Sequence, residues 1–490
     1  MTLLCASLNS PTPEAFLEDA HLLASEVDVF ELRLDYLKNP DAAQVSELIP
    51  KINTPCIATL RHENCGGKSI LSDSQRVSIL EAAAQAGADY VDIELESTAT
   101  PDLSGTGAKR ICSYHNFSET PANLREIYSR IRDKSPDIIK IAAYAQRIED
   151  NARVFSLLNQ SEIPCIALCM GECGVISRIL APKFGASLMF CATEDGNECA
   201  PGQITADELL NRFNFRSINP DTELYGVIGN PIQHSISPDL HNSAYRELGL
   251  NKVYVPLKVE NPQAFWQAFG QGLFDGFSVT IPHKRSFLSK MDHIEPVAEQ
   301  IGAVNTLRLN GGRWEAYNTD WRAAIDSIIR RSGELKDSKV LILGAGGAAR
   351  ALGFGAQYHG ASVAVTNRTE EKGRTLCSEL NAEFIPLQDL NTESVRDFHV
   401  IINTTSLGMH PNIDTRPLTD ATFHSGQVVF DAVYNPEMTR LLQDAQADGA
   451  QIVTGTEMFV GQAEEQFRLW CQCDPPQGLM KKVFTARKNH

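Results

Sequence analysis

Eight short apolar runs at regular spacing in the first 215 residues restrict what this chain can fold into more than any other feature. They are Leu3–Leu8, Val29–Leu34, Cys56–Arg61, Tyr90–Leu95, Arg110–His115, Ile138–Ala142, Cys165–Met170 and Ser187–Cys191. Apolar runs this short fit strands covered on both faces, as in a parallel sheet. Helical patterns lie between them, as in Ser74–Ala86, Asn123–Lys134 and Arg147–Asn159. Eight such alternations in this length predict a (β/α)8 barrel over 1–215, with a doubly wound sheet as the competing architecture.

A barrel of this kind carries its chemistry at the C-terminal strand ends. The polar residues expected there are Glu31 and Arg33 (on one face by the period of two), Arg61, His115, Lys140 within IIKIAAY, and Arg178 after the seventh run. A lysine in the lumen loses solvation, and Arg33 and Arg178 are expected to add like charge. Lowering its pKa from about 10.4 to near 7 costs about 4 kcal/mol. The neutral amine can then attack a ketone and form a Schiff base, with His115 one strand away as proton carrier.

A second constraint is KVLILGAGGAARAL, Lys339–Leu352. An apolar strand, Val340–Leu343, runs into a glycine-rich turn, and a helical segment then extends to about Tyr358. Glycine lets the backbone turn tightly against a pyrophosphate, and the first N–H groups of the helix bind the anion. Gly344, Ala345, Gly346, Gly347 and Ala348 are therefore assigned to a dinucleotide. The next strand, Ala361–Asn367, ends about 20 residues past the glycines, where an NAD site carries an acidic residue. Here stand Asn367, Arg368 and Thr369, with Lys372 beyond. Cations attract a 2′-phosphate that a carboxylate would repel, so the cofactor is read as NADP.

At 490 residues with a formal charge of −17, the chain is a multidomain protein without the clustered cations of a nucleic-acid binder. Its N-terminus, MTLLCASLNS, reads as a first strand and not as a signal, transit or membrane segment. The twelve cysteines are scattered and lack zinc spacing. Reduced thiols, no metal and a cytoplasmic location are expected.

The polar stretch FRSINPDTE predicts a short linker, 216–223. After LYGVIGNP, the motif HSISP sets Ser235 and Ser237 at the start of a helix, Asp239–Leu248, where hydroxyls and free N–H groups suit an anion. GFSVTIPHK leads to Lys284, and NTD carries Asp320 ahead of a helix, Trp321–Arg331. A lysine and an aspartate in one polar cleft can relay a proton to a carbonyl oxygen while hydride reaches its carbon.

ELRLD, TLR, SYHNF, KIA, SR and APGQ, in that order, resemble type I 3-dehydroquinate dehydratase. The resemblance implies imine formation at Lys140, proton transfer by His115, and substrate binding by Glu31, Arg33, Arg61, Arg178 and Gln203, with Arg178 on the carboxylate. Cys65 stands where the family commonly has Glu, and Cys199 where it commonly has Ser, so hydroxyl contacts are expected to be weaker or rearranged. GNPIQHSISP, SVTIPHK, GAVNT, NTD, GAGGAAR, NRT, NTTSLGM, YNP and GTEMFVGQA resemble shikimate dehydrogenase. That resemblance implies Lys284 and Asp320 as the catalytic pair, and Ser235, Ser237, Thr280, Asn305, Tyr434 and Gln462 as substrate contacts. It also implies Thr404, Met409, Gly455 and Met458 at the cofactor, with Ser278 in place of a common Asn.

The two resemblances imply 3-dehydroquinate and 3-dehydroshikimate as substrates, in a barrel (1–215), a substrate domain (224–325), a Rossmann NADP domain (326–460) and C-terminal helices (461–490). A monomer is expected, with a dimer as the alternative. The rival readings are an NAD-linked quinate or shikimate dehydrogenase working oxidatively, and a metabolite sensor without catalysis.

Overall fold

The computed structural model describes residues 1–390, 392–419 and 421–488. They divide into two compact units, Met1–Phe274 and Asp275–His490.

In the first unit the eight apolar runs become β1 (Leu3–Leu8), β2 (Val29–Arg33), β3 (Cys56–Thr59), β4 (Tyr90–Glu94), β5 (Lys109–Asn116), β6 (Ile138–Tyr144), β7 (Cys165–Met170) and β8 (Leu188–Cys191). Every ladder among them is parallel, in the order β7-β6-β5-β4-β3-β2-β1-β8. The ring is thus nearly closed. At its seam, between β7 and β8, Ser187 N–H donates to Cys165 O. Local chemistry starts the outer helices where the sequence supplies caps. Thr12 and Pro13 open the helix Pro13–Leu23, and a Ser72/Gln75 capping box opens Asp73–Gln85. The alternation is not complete. The connection from β4 to β5, 95–108, carries no helix, and its STATPDLSGTG sequence favours turns.

The same unit continues into β9 (Glu223–Gly229) and β10 (Lys252–Lys258), which pair in parallel across the helix Ser237–Glu247. The expected linker is pinned against the barrel. Arg216 pairs with Asp28 at 2.9 Å, and Lys183 Nζ donates to the carbonyl oxygens of Pro220 and Thr222. Lys258 meets Glu172 at 2.5 Å.

The second unit opens with β11 (Gly276–Val279), β12 (His293–Ile294), β13 (Thr306–Asn310) and β14 (Arg313–Tyr317). β13 pairs antiparallel with β11 and β14, and β12 runs parallel to β14. The long helix Gly455–Cys471 lies close enough that a Cβ on Gly276 would come 2.5 Å from Trp470 Nε1. That indole instead donates to Leu307 O.

Six parallel strands follow: β15 (Lys339–Leu343), β16 (Ser362–Thr366), β17 (Glu383–Phe384), β18 (Val400–Asn403), β19 (Val428–Asp431) and β20 (Gln451–Val453). Their order, β17-β16-β15-β18-β19-β20, is that of a doubly wound dinucleotide fold. Alternate residues feed two apolar layers. Val340, Ile342, Val365 and Ile402 join one cluster with Trp321 and Leu352. Leu341, Leu343, Ala364 and Ile401 join another with Leu441 and Leu442. In register, Leu343 lies opposite both Thr366 and Asn403. The segments after these three strands therefore emerge at one sheet edge, where the strand order reverses.

Candidate active sites

Glu31, Arg33, Arg61, His115, Lys140, Arg178 and Gln203 line one cavity in the barrel, together with Cys65, Phe117, Phe190 and Cys199. Lys140 Nζ lies 3.1 Å from Glu31 Oε1 and 3.0 Å from Asp92 Oδ2, and 3.9 Å from the centre of the Phe190 ring. The expectation of like-charged neighbours around this amine is therefore corrected, because its contacts are carboxylates. The residue the sequence reading missed is Asp92, on β4. The signal was available: YVDIE is a buried strand holding two acids, and fully buried acids are rare unless paired.

Asp92 joins the network. Its Oδ2 accepts from Arg61 at 2.8 Å, and its Oδ1 accepts from Ser113 Oγ at 2.6 Å. Burial opposes its charge, but Arg61 and Lys140 together hold the carboxyl well below the usual range. Glu31 is also committed, accepting from Ser7 and Thr59 as well as Lys140. Arg33 makes a two-pronged pair with Asp35 at 2.9 and 2.8 Å. Gln203 accepts from Cys199 N–H and donates to Ser7 Oγ.

Two groups stand apart from this saturation. His115 Nδ1 is buried without a partner among the described residues. Burial, with Arg61 and Lys140 nearby, pushes its pKa well below the ordinary value, so the imidazole is neutral and able to take a proton. Arg178, in the short helix Val175–Ile179, is fully buried and pairs with no carboxylate among the described residues. Its Nη1 donates to Phe190 O at 3.3 Å, its Nε has no partner among the described residues, and burial pushes the guanidinium down to about 10. Cys65, Gly66 and Phe117 line the same cavity. Gly66 has φ +79°, and a Cβ there would sit 2.1 Å from the Phe117 ring, so only glycine fits beneath that side chain.

In the second unit Lys284 Nζ meets Asp320 Oδ2 at 2.6 Å. Asn318 caps the helix Thr319–Ser332 by accepting from Asp320 N–H, and its amide donates to Ala303 O. Val304 N–H donates to Lys284 O at 2.7 Å. GAVNT and NTD are thereby tied to the lysine segment. Asn305 spends both ends of its amide on Thr319 and Thr306, which makes it a brace for the helix start. Thr280 follows β11 and is half-buried. Ser278 donates to Gln466 Oε1 at 2.8 Å, and Gln466 Nε2 reaches Thr306 Oγ1. Gln466, a second residue the motifs did not mark, thus braces the same strands. Gln462 donates to Phe459 O within its own helix, and Tyr434 is exposed with its ring 5.5 Å from Phe459. Ser235 and Ser237 belong to the first unit, where Ser235 Oγ accepts from Ser237 N–H at 3.3 Å.

A cavity of about 360 Å³ at the Rossmann sheet edge is lined by Gly344–Gly346, Thr366–Thr369, Lys372, Leu387 and Thr404–Leu407. Gly344 has φ +114°, and a Cβ on it would meet Thr404 Oγ1 at 2.6 Å. Gly346 and Gly347 face open space, with nothing within 4 Å of where a Cβ would be. Their smallness serves no internal packing and leaves room for a phosphate against the helix Gly347–Tyr358. Arg368 and Lys372 are exposed at the far end, and Thr366 Oγ1 is buried without a partner among the described residues. These residues fit NADP. Ala348 lies in the first turn of that helix, and Gly455 abuts Val433 O so closely that a Cβ would sit at 2.5 Å. Met458 packs on the apolar core, whereas Met409 is exposed.

Comparison with known proteins gives four family matches. Residues 4–220 match type I 3-dehydroquinase, 227–307 the shikimate dehydrogenase substrate binding domain, 327–434 shikimate/quinate 5-dehydrogenase, and 455–483 the shikimate 5′-dehydrogenase C-terminal domain. The bifunctional 3-dehydroquinate dehydratase/shikimate dehydrogenase of Arabidopsis thaliana, described as chloroplastic, is 38% identical over 99% of this chain and 84% of its own length. A shikimate dehydrogenase (NADP(+)) of Methanosarcina mazei is 42% identical over 53% of this chain and 97% of its own. A crystal structure of shikimate dehydrogenase in complex with NADP+ shares 35% identity with a TM-score of 0.50, over 55% of this chain and 97% of that one.

Proposed function

The chain belongs to the bifunctional 3-dehydroquinate dehydratase/shikimate dehydrogenase family, and from that premise we propose which of its residues carry each step. The protein dehydrates 3-dehydroquinate to 3-dehydroshikimate and reduces the product to shikimate with NADPH. We assign dehydration to 1–215 and reduction to the rest, with 224–325 holding substrate, 326–460 holding cofactor and 461–490 returning to the substrate domain. The matched ranges support this division.

In the barrel, Lys140 attacks the substrate carbonyl and forms an imine with loss of water. Its ammonium, held between Glu31 and Asp92, must first lose a proton, which neutral His115 in the same cavity takes and returns to the carbonyl oxygen that leaves as water. His115 then removes the proton beside the imine carbon and returns it to the departing hydroxyl, which leaves as water, and a water molecule hydrolyses the imine to release 3-dehydroshikimate and the Lys140 amine. Arg178 binds the substrate carboxylate, and Arg33, Arg61, Glu31 and Gln203 shape the remaining surface. The observation carrying this assignment is the pairing of a neutral, unpartnered imidazole with an amine in one enclosed cavity. Borohydride added with 3-dehydroquinate is expected to leave a covalent adduct on Lys140, read by peptide mass. A Lys140→Ala enzyme with full dehydratase activity would refute the assignment.

In the second half, Lys284 gives a proton to the carbonyl oxygen and Asp320 orients the lysine and shares its charge. Bound NADPH supplies the hydride. Ser235, Ser237, Thr280, Tyr434 and Gln462 bind the substrate, with Asn305 holding the helix that presents Asp320. Gly344–Ala348, Asn367–Thr369, Lys372, Thr404, Met409, Gly455 and Met458 receive the dinucleotide. Lys284→Ala is expected to lower reduction by about 10²-fold or more while dehydration persists. Loss of both activities in a folded protein would refute separate sites. Among the described residues no helix is long and apolar enough to cross a membrane. We propose a cytoplasmic monomer, to be tested by fractionation and by light scattering.

A further inference from the structure

Behind the glycine-rich turn lies a second cavity of about 500 Å³, lined among others by Arg285, Gly302, Gly347, Arg350, Lys372 and Glu379. It shares Ala345, Gly346, Thr369 and Lys372 with the dinucleotide cavity, so both open on the same turn. Three cations face it, and they are in different states. Arg350 is engaged, donating to Ile301 O and Gln300 O and pairing with Glu379. Arg285 and Lys372 are exposed, and their side chains make no hydrogen bond or ion pair among the described residues. Arg285 is also near enough to Arg350 that, after burial, its charge is the next cause holding the Arg350 guanidinium below its ordinary value.

A cation held beside another cation, without a counter-ion of its own, is placed for an anion that arrives later. The acids on this cavity do not fill that role. Glu379 is taken by Arg350, and Glu371 is exposed with no ion pair among the described residues. The anion expected at this turn is the cofactor pyrophosphate, for which Gly346 and Gly347 leave open space. Arg285 also directly follows Lys284, whose carbonyl is tied to Val304. Its position is therefore coupled to that of the proton donor.

We propose that Arg285 is a cofactor-binding residue that closes on the dinucleotide pyrophosphate from the second cavity, fixing the Lys284 segment against the bound cofactor. The proposal rests on the assignment of the glycine-rich turn to the pyrophosphate. It extends that site to a residue on the lysine segment, outside the Rossmann strands and turns.

The test measures dissociation constants of the full chain for three probes: NADPH, 2′-phospho-ADP-ribose and adenosine 2′-monophosphate. Removing a charge-assisted hydrogen bond to the pyrophosphate weakens the first two by about tenfold or more. Arg285→Gln is expected to do so while leaving adenosine 2′-monophosphate, which lacks a pyrophosphate, within about twofold. Arg285→Lys is expected to recover part of the affinity, and thermal melting checks that each variant folds. Unchanged NADPH binding in Arg285→Gln overturns the proposal. Equal weakening of all three probes also overturns it, because the charge would then act at the 2′-phosphate or through the general field. Gly347→Val tests the underlying assignment separately. If that variant binds NADPH as tightly as the parent, the pyrophosphate does not lie on this turn, whatever Arg285 does.

Discussion

Replacing Arg178 by methionine is expected to stabilise the ligand-free barrel while abolishing dehydration. Arg178 is buried with no carboxylate partner among the described residues, and its guanidinium is pushed from 12.5 to about 10 by loss of solvent. At about 1.4 kcal/mol per tenfold, that depression corresponds to roughly 3 kcal/mol against the charged form in the fold. The sign follows from the direction. A folded pKa below the unfolded one means that the folded state binds this proton more weakly, so the penalty is in force at every pH below about 10. Methionine keeps similar length and removes the charge, while giving up the hydrogen bond to Phe190 O costs about 1 kcal/mol. The net gain is about 2 kcal/mol, or about thirtyfold slower opening at fixed pH. Fluorescence would follow the wrong half, since the four tryptophans, Trp266, Trp314, Trp321 and Trp470, all lie beyond the barrel. Amide hydrogen exchange in β7 and β8, next to Arg178, reads the correct transition. Faster exchange in Arg178→Met would show that the guanidinium supports the fold, and its assignment to the substrate carboxylate would lose its physical basis.

Asp92→Asn removes a fully buried charge that serves both Arg61 and Lys140, and should cost about 3–5 kcal/mol of barrel stability at pH 7. Its carboxyl is depressed in the fold, so this stability is present above the unfolded value near 4 and drains away as pH falls below it. Acid unfolding of the variant should consequently depend less on pH, and an unchanged slope would refute the account. His115 is depressed by burial, so the acid limb of dehydratase kcat/KM should fall below the ordinary histidine value near 6.5, and a limb at or above it would contradict the buried-base reading. Arg368→Glu should raise KM for NADPH by about tenfold or more and leave NADH little affected. Equal losses for both cofactors would place Arg368 away from the 2′-phosphate.

The sequence reading found the barrel strands because each is a buried run bounded by turns, and their type does not depend on distant partners. It missed the gap in the helix ring, since alternation was extrapolated through STATPDLSGTG, where Pro101, Gly105 and Gly107 oppose a helix. At the site, period two and strand ends predicted which residues face the lumen. Which anion touches which amine was not legible. Ser113 lies opposite Lys140 across the β5–β6 ladder, and Glu94 lies opposite Ser113 across β4–β5. Asp92, two residues before Glu94, therefore reaches Lys140 across two strands, through side-chain length and not through adjacency. Arg33 was expected to crowd the lysine, but Asp35 two residues on takes its whole fork.

The two lysines illustrate why local pattern gives position but not electrostatics. Lys284, proposed as a proton donor, meets one carboxylate at 2.6 Å and is partly exposed. Lys140, proposed to attack as a free amine, is found between two buried carboxylates. The carboxylates answer a constraint on the fold as well as on the chemistry. A lysine and three arginines reach this lumen, and Arg61 and Lys140 could not both be buried beside each other without Asp92 between them. Among the described residues Arg178 is the lumen cation left without such an anion. Its unpaired charge within the pocket gives an anionic substrate a place that the protein itself does not fill.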